Sequence, residues 1–329
     1  MTPQGTDLQP WLASRREAVD RALERYLPSS DAAAPTSGLI PASRRAPARL
    51  TESMRYSVFA GGKRLRPMLV LASAEAVSEQ LGISATEAQA LAMPAACAIE
   101  MIHTYSLVHD DLPAMDNDTM RRGRPTAHVV FGEGMAILAG DALLTEAFAL
   151  ISREPSRSDE IGSDDLNRRK LQTAAIVADA AGAAGMVGGQ AIDLEAAHPG
   201  APPMDAPALR EMHMRKTGAL IVASALSGAI MAGATEAVAE SIGQYGVEIG
   251  LAFQIVDDIL DIEGASAELG KTAGKDAAAG KPTYPALYGL DASRKLASDC
   301  IDRATSVLLR ARLGGQLAAI AQWVIGRTH

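Results

Sequence analysis

Apolar residues recur through most of the chain at the three- and four-residue spacing of a helix, and no alternating stretch of useful length competes. The pattern confines the fold to an all-α class. Hydrophobic residues make up 48% of the 329 residues but aromatic ones only 4%, so the core must be built from Ala, Leu, Ile, Val and Met. Its abundant Ala favours helix, and such a core allows close helix approach. The length suffices for one large core, and there is no repeat of fixed period.

An amphipathic helix is expected over Trp11 to Leu27, followed by a Ser-, Ala- and Pro-rich linker from Pro28 to about Pro47. We therefore divide the chain into residues 1–48 and a single all-α domain over 49–329. Further helices are expected from Leu50 to Gly61-Gly62, from about Pro67, from a Ser84–Glu87 capping box to Asp111, and from Gly134 to Ile151. After an exposed loop at Ser152 to Asn167, helices resume at Leu166 to Val187, Ala206 to Ala232, Ala234 to Ile262, Tyr284 to Leu290 and Ser293 to Gly326.

A net charge of −8 argues against a nucleic-acid partner, because polyanion binders carry an excess of Lys and Arg. Two cysteines, Cys97 and Cys300, make neither a metal knuckle nor a disulfide framework, which fits a reducing, cytoplasmic setting. No run of 18 uninterrupted apolar residues suggests a transmembrane segment, so we expect a soluble protein.

Two acidic clusters carry the chemistry. Asp110-Asp111-Leu112-Pro113-Ala114-Met115-Asp116-Asn117-Asp118 follows an apolar helix. On a continuous helix Asp110 and Asp116 would point about 240° apart, but Pro113 disfavours helix at Leu112 and lets the chain turn Asp116 back. In the second cluster Gln254, Asp257 and Asp261 share a helix face. Gly243, Val247 and Gly250 precede them on that face, which suggests a cavity wall rather than a solvated stripe. Massed carboxylates need a cation, and hard oxygen donors without Cys or His suit magnesium held partly by substrate phosphates. A calcium loop counted from Asp116 would need Glu at its twelfth position, where Ala127 stands.

Cations lie near both clusters. Gly61-Gly62-Lys63-Arg64-Leu65-Arg66 is a glycine turn suited to a phosphate. Arg121-Arg122 follows the first acids, Lys216-Thr217 lies in a helical stretch, and Lys271, Lys275 and Lys281 follow the second cluster. His103 projects within about 20° of Asp110 on the helix wheel, with Ser106 between them. Acids followed by cations are what a metal-bridged polyphosphate requires.

These residues make the chain resemble the trans-isoprenyl diphosphate synthases, the polyprenyl synthetase family, most like the bacterial farnesyl diphosphate synthases. The likeness runs from about Tyr56 to Tyr284 through Gly61 to Pro67, His103 to Asp116, Arg121 to His128, Gly188 to Glu195, Lys216-Thr217 and Phe253 to Asp261. It implies an isoprenoid synthase-type bundle of antiparallel helices around a deep cavity, working as a homodimer with three magnesium ions. The reaction implied joins isopentenyl diphosphate to dimethylallyl or geranyl diphosphate by ionisation, condensation and elimination.

By motif, Asp110, Asp116 and Asp257 become metal ligands, with Asp111, Asp258 and Asp261 close behind. Arg121, Lys216, Thr217, Gln254, Lys271 and Lys281 would hold the allylic diphosphate, and Gly62, Lys63, Arg66, His103 and Arg122 isopentenyl diphosphate. Tyr105 and Ser106, five and four residues before Asp110, would floor the chain-length cavity, and Tyr105 favours a fifteen-carbon product over geranylgeranyl diphosphate. The wheel turns Tyr105 away from the Asp110 stripe. Thr119 stands where relatives often carry another Asp. The rivals are a class I terpene cyclase, which needs no isopentenyl site, and a non-catalytic modulatory subunit, which could lose its acids.

Overall fold

The computed structural model describes residues 8–29, 46–159, 161–198, 200, 202–267 and 283–327, with side chains in the long eleventh helix described to residue 263. Its helices are α1 (Leu8–Tyr26), α2 (Ala48–Val58), α3 (Leu65–Leu81), α4 (Ala85–Asp110), α5 (Ala127–Phe131), α6 (Glu133–Arg153), α7 (Ser163–Ala181) and α8 (Met186–Ala196). Then come α9 (Ala206–His213), a π turn (Met214–Gly218), α10 (Ala219–Ala232), α11 (Glu236–Ala267), α12 (Tyr284–Tyr288), α13 (Leu290–Ala311) and α14 (Leu317–Ile325). Among the described residues the strands are β1 (Met120–Arg121) and β2 (Arg124–Pro125), an antiparallel pair with Arg121 opposite Arg124.

α4 is the axis of the bundle. It is buried on nearly every side by α1, α2, α3, α6 and α10, and carries Pro94 within its span. Ala92, Ala95, Ala96 and Ala98 are among its buried residues, and their small side chains let the neighbours come close. Short connections at residues 82–84 and 233–235 turn α3 into α4 and α10 into α11. α1 is not an appendage of a separate region: Leu12, Val19 and Leu23 belong to the same core, and Trp11 Nε1 and Arg15 Nε both donate to Glu75 on α3 at 2.8 Å.

Several local expectations are corrected. Ser84 is the N-cap residue of α4 but its side chain makes no capping bond, and Glu87 instead accepts from Ser158 Oγ. The loop expected at Ser152 to Asn167 is shorter, because α7 already starts at Ser163. Gly182 ends α7, and a separate helix, α8, follows where the periodicity suggested one helix ending at Val187. Another break, at residues 312–316, divides α13 from α14.

By length and composition α4, α6 and the stretch Ser163–Ala196 are apolar enough to cross a membrane, a property hidden when only uninterrupted runs are counted. In α4 the apolar window is 78% buried, so the core accounts for it. In α6 and α8 much of it is exposed, including Ile137, Leu138, Val187 and Leu194.

Candidate active site

The first acidic cluster folds back on itself. α4 ends at Asp110, the Asp116 N–H donates to the Asp110 carbonyl at 2.9 Å, and the Asp118 N–H donates to that of Asp111 at 3.1 Å. Asn117 closes the turn with φ +51, a left-handed conformation that Asn tolerates. Leu112 anchors the loop in a small apolar cluster with Val108, Ala127 and Ala136. The turn expected at Pro113 is therefore present, and Asp116 lies next to Asp110.

The carboxylates differ in their surroundings. Asp111 is buried and held by Arg121, whose Nε and Nη2 both reach Oδ1 at 2.7 Å. For Asp110, burial dominates; Lys216 and Arg121 oppose it, while Asp116 and Asp111 add to it, leaving the carboxyl pushed up to about 6. Its negative charge is under-compensated.

On α11, Asp257 meets Arg327 at 3.0 Å. Burial still raises its pKa, with Arg327 and Lys63 opposing. Asp258 is buried and accepts the Tyr284 N–H at 2.8 Å, while Gln254 Nε2 lies 3.0 Å from His213 Nδ1. Asp261 is partly exposed at the outer end of this row. Gly243 and Gly250 do not wall a cavity as expected. Gly243 faces Leu226 on α10 and Gly250 meets Gly218 of the π turn, so both serve helix packing, and Val247 lines an outer groove with Arg303.

Two cavities lie here, one lined by Asp110 and the other by Asp257. The first, about 380 Å³, is lined by Asp110, Lys216, Thr217, Tyr105, Ser106, Met186 and Gln190 among others. Tyr105 thus reaches the same wall as Asp110, against the wheel projection, and its ring packs edge-on against His109 with centroids 5.6 Å apart. The second, about 540 Å³, is lined by Gly62, Lys63, Arg66, Arg122, Asp257 and Arg327. Arg66 and His103 line both.

The second cavity carries excess positive charge. Burial lowers the pKa of Lys63, Arg66, Arg122 and Arg327, and Arg66 Nε has no hydrogen-bond partner. Burial, then Arg66, Arg122 and Arg121, holds His103 well below the ordinary range, so the ring is neutral. Arg122 Nη1 donates to the Gly61 carbonyl. Gly62 (φ +129) leaves room for that guanidinium, since a Cβ there would lie 2.5 Å from it. Such a constellation suits an anion bound without metal.

Lys216 and Thr217 project from the π turn, not from a regular helix. π bulges are rare and recur at functional sites. The turn is wedged by α8: a Cβ on Gly189 would lie 2.2 Å from the Lys216 nitrogen. Lys216 Nζ donates to Asp193 at 2.6 Å. Asp193 and Gln190, Arg327, His213 and Glu100 were not picked out by sequence reasoning, and Arg64, read there as one of the cations of the phosphate turn, is instead buried in an ion pair with Glu100. Asp193 and Gln190 lay within the matched stretch Gly188 to Glu195, where their i, i+3 spacing was a usable signal. Lys271, Lys275 and Lys281 lie outside the described residues.

Among the described residues no three His, Cys, Asp or Glu side chains come together tightly enough to hold an ion unaided. The donor set still suits magnesium, which prefers one or two carboxylates completed by substrate phosphates over an all-protein cage. Asp110 and Asp116 from one wall and Asp257 from another are the residues that would hold it.

The polyprenyl synthetase family matches residues 47–308. The chain is 41% identical to the farnesyl diphosphate synthase of Geobacillus stearothermophilus over 98% of each, and 40% identical to the geranylgeranyl diphosphate synthase of Cyanophora paradoxa over 98% of this chain and 97% of the other. Among solved structures, an FPP/GFPP synthase from Zymomonas mobilis superposes with a TM-score of 0.75 at 34% identity, covering 97% of both chains. The fold is the all-α isoprenoid synthase fold. This chain belongs to the polyprenyl synthetase family.

Proposed function

We infer that the protein is a magnesium-dependent, short-chain trans-prenyltransferase that condenses isopentenyl diphosphate with dimethylallyl or geranyl diphosphate. The observation that carries this reading is the pair of adjoining cavities: one apolar and flanked by Asp110 and Lys216, the other cationic, sharing Arg66 and His103 with it. A terpene cyclase would have no use for the second, and a modulatory subunit would have no need for intact acids in both clusters.

Magnesium, when bound, supplies Lewis-acid neutralisation of the leaving diphosphate. Lys216 and Arg121 add positive charge where negative charge develops, so the allylic C–O bond ionises in the apolar cavity. Lys63, Arg66 and Arg122 hold isopentenyl diphosphate with its double bond toward the resulting allylic cation, and the neutral ring of His103 can donate to a phosphate oxygen without adding a proton equilibrium. The double bond attacks the cation, and the proton lost afterwards goes to the released diphosphate. The widened π turn leaves Thr217 beside the cationic carbon path, and the apolar walls at Met186 and Tyr105 exclude water that would quench the cation.

Incubating the purified protein with magnesium, labelled isopentenyl diphosphate and each allylic diphosphate should yield a prenyl diphosphate. Product formed equally in EDTA, or cyclised hydrocarbon made without isopentenyl diphosphate, contradicts the reading. We place the product at fifteen carbons, farnesyl diphosphate, because Tyr105 stands in the cavity wall; the runner-up is geranylgeranyl diphosphate, made by several relatives. Tyr105→Ala should shift the main product to twenty carbons or more on reversed-phase chromatography of the dephosphorylated products, and an unchanged distribution refutes that role.

The raised pKa of Asp110 gives a pH dependence. Relative to the unfolded chain, where Asp titrates near ~3.9, its burial leaves the folded metal-free protein relatively favoured at low pH, an advantage lost as pH rises through about 6. A cation must displace that proton. Mn²⁺ affinity, followed by electron paramagnetic resonance, should be full above this range and fall toward tenfold per pH unit below it; a flat profile from pH ~5 to ~7 contradicts this.

We further propose that the exposed apolar residues of α6, Ile137 and Leu138 among them, form a homodimer face and that the enzyme works in the cytoplasm. Light scattering of the purified protein, with an Ile137→Asp/Leu138→Asp variant as control, tests the dimer.

A further inference from the structure

His213 ends α9, three residues before Lys216, and its ring is buried. It touches three side chains, two on α11 and one on α12. Nδ1 lies 3.0 Å from Gln254 Nε2 on α11, so the amide donates and the ring carries its proton on Nε2. That Nε2 has no hydrogen-bond partner, yet it stands 3.7 Å from Asp258 Oδ2. One ring face stacks on Tyr284, centroids 5.9 Å apart, and the Tyr284 N–H donates to the same Asp258 oxygen at 2.8 Å.

Resting on the prenyltransfer reading, we propose that His213 is a positioning residue that fixes the acidic face of α11 against the Lys216–Thr217 turn. A π turn is wider and less constrained than α-helix, so the spacing between Lys216 and Asp257 is not set by the backbone of either element alone. The His213 ring supplies that setting through Gln254 on one nitrogen and Asp258 on the other. The gap of 3.7 Å is too long for a hydrogen bond but closes with a displacement of under ~1 Å. Were the bound allylic diphosphate to bring the two walls closer, Nε2–H would donate to Asp258, and its desolvated proton would gain the partner it lacks here. His213 touches no substrate, and its action is on where Lys216 and the acids stand. Isopentenyl diphosphate, held by residues of the α2–α3 loop, α4 and the β hairpin, lies outside its reach.

The test compares His213→Phe, which keeps the stacked ring but loses both nitrogens, with His213→Gln, whose terminal amide can occupy the Nε2 position. Steady-state kinetics with dimethylallyl and isopentenyl diphosphates would be run beside Mn²⁺ binding in the presence of dimethylallyl thiolodiphosphate, and thermal unfolding. For His213→Phe we expect kcat to fall about a hundredfold, the scale of an ångström misplacement. Its Mn²⁺ half-saturation and allylic KM should rise together, with isopentenyl KM and Tm little changed. His213→Gln should recover much of both losses, and it carries the comparison alone should the Phe variant not fold. An indifferent His213→Phe, an equal loss in both substrates, or a Gln variant at or below the Phe variant, beside a normal wild type, overturns the positioning role alone. A wild-type chain that binds no allylic analogue overturns the prenyltransfer reading beneath it.

Discussion

Asp110→Asn should lower kcat by about a thousandfold or more, while isopentenyl diphosphate binding stays near that of the wild type. Asp110 is the half-buried carboxylate whose charge the protein compensates least. Asp111 has Arg121, Asp257 has Arg327 and Asp258 has the Tyr284 N–H, whereas for Asp110 burial outweighs Lys216 and Arg121 and holds the pKa near 6. An amide of the same shape keeps the packing and removes the charge that recruits a cation. Removing one preorganised electrostatic contact commonly costs about 10²–10³ in kcat. Losing a ligand also loses the ion's share of leaving-group stabilisation, so the effect should reach or pass the upper end. Single-turnover assays on the folded variant would measure it; a kcat within tenfold of wild type excludes Asp110 as a metal ligand.

Arg64→Met should cost about 3–5 kcal/mol of stability, the usual consequence of breaking a buried ion pair from one side. Arg64 Nη1 meets Glu100 at 2.7 Å with both side chains 3% exposed, and its other nitrogens reach Asp20 and the Val58 carbonyl. The residue also adopts φ +52 at the N-cap of α3. It therefore ties α1, α2 and α4 to the loop that carries Gly62 and Lys63 and to the first turn of α3, which carries Arg66. The methionine variant leaves the Glu100 carboxylate buried without a partner. Urea unfolding should show the loss, and Arg64→Met/Glu100→Gln should be less destabilised than the two single effects summed. Additive effects would mean that the pair does not act as a unit.

The first acidic turn could be read because Pro113 has a local consequence, and the Asp116–Asp110 backbone bond is its outcome. The Gly62 and Arg122 contact was half legible: glycines announce close approach, but not what approaches. Helix-wheel reasoning failed for Tyr105 because a cavity between several helices collects more than one stripe of α4. It failed for Gly243 and Gly250 because small residues on a helix face admit a neighbouring helix as readily as a ligand. The π turn at Lys216 breaks the period on which the wheel depends, so Asp193, Gly189 and His213 could not be aligned with it. Arg327 had no local signal at all, since its contact with Asp257 joins residues 70 positions apart and exists only once α14 packs on α11.

The central claim is that acids from two distant stretches act on one diphosphate. Its most direct test is a crystal structure with magnesium, isopentenyl diphosphate and dimethylallyl thiolodiphosphate, an analogue that ionises too slowly to react. The account predicts cations touching Asp110 and Asp116 on one side and Asp257 on the other, all in contact with the same thiolodiphosphate, with Arg327 released from or sharing Asp257. Density for the analogue away from either carboxylate group, with the Arg327–Asp257 pair intact and no cation between the walls, would contradict it.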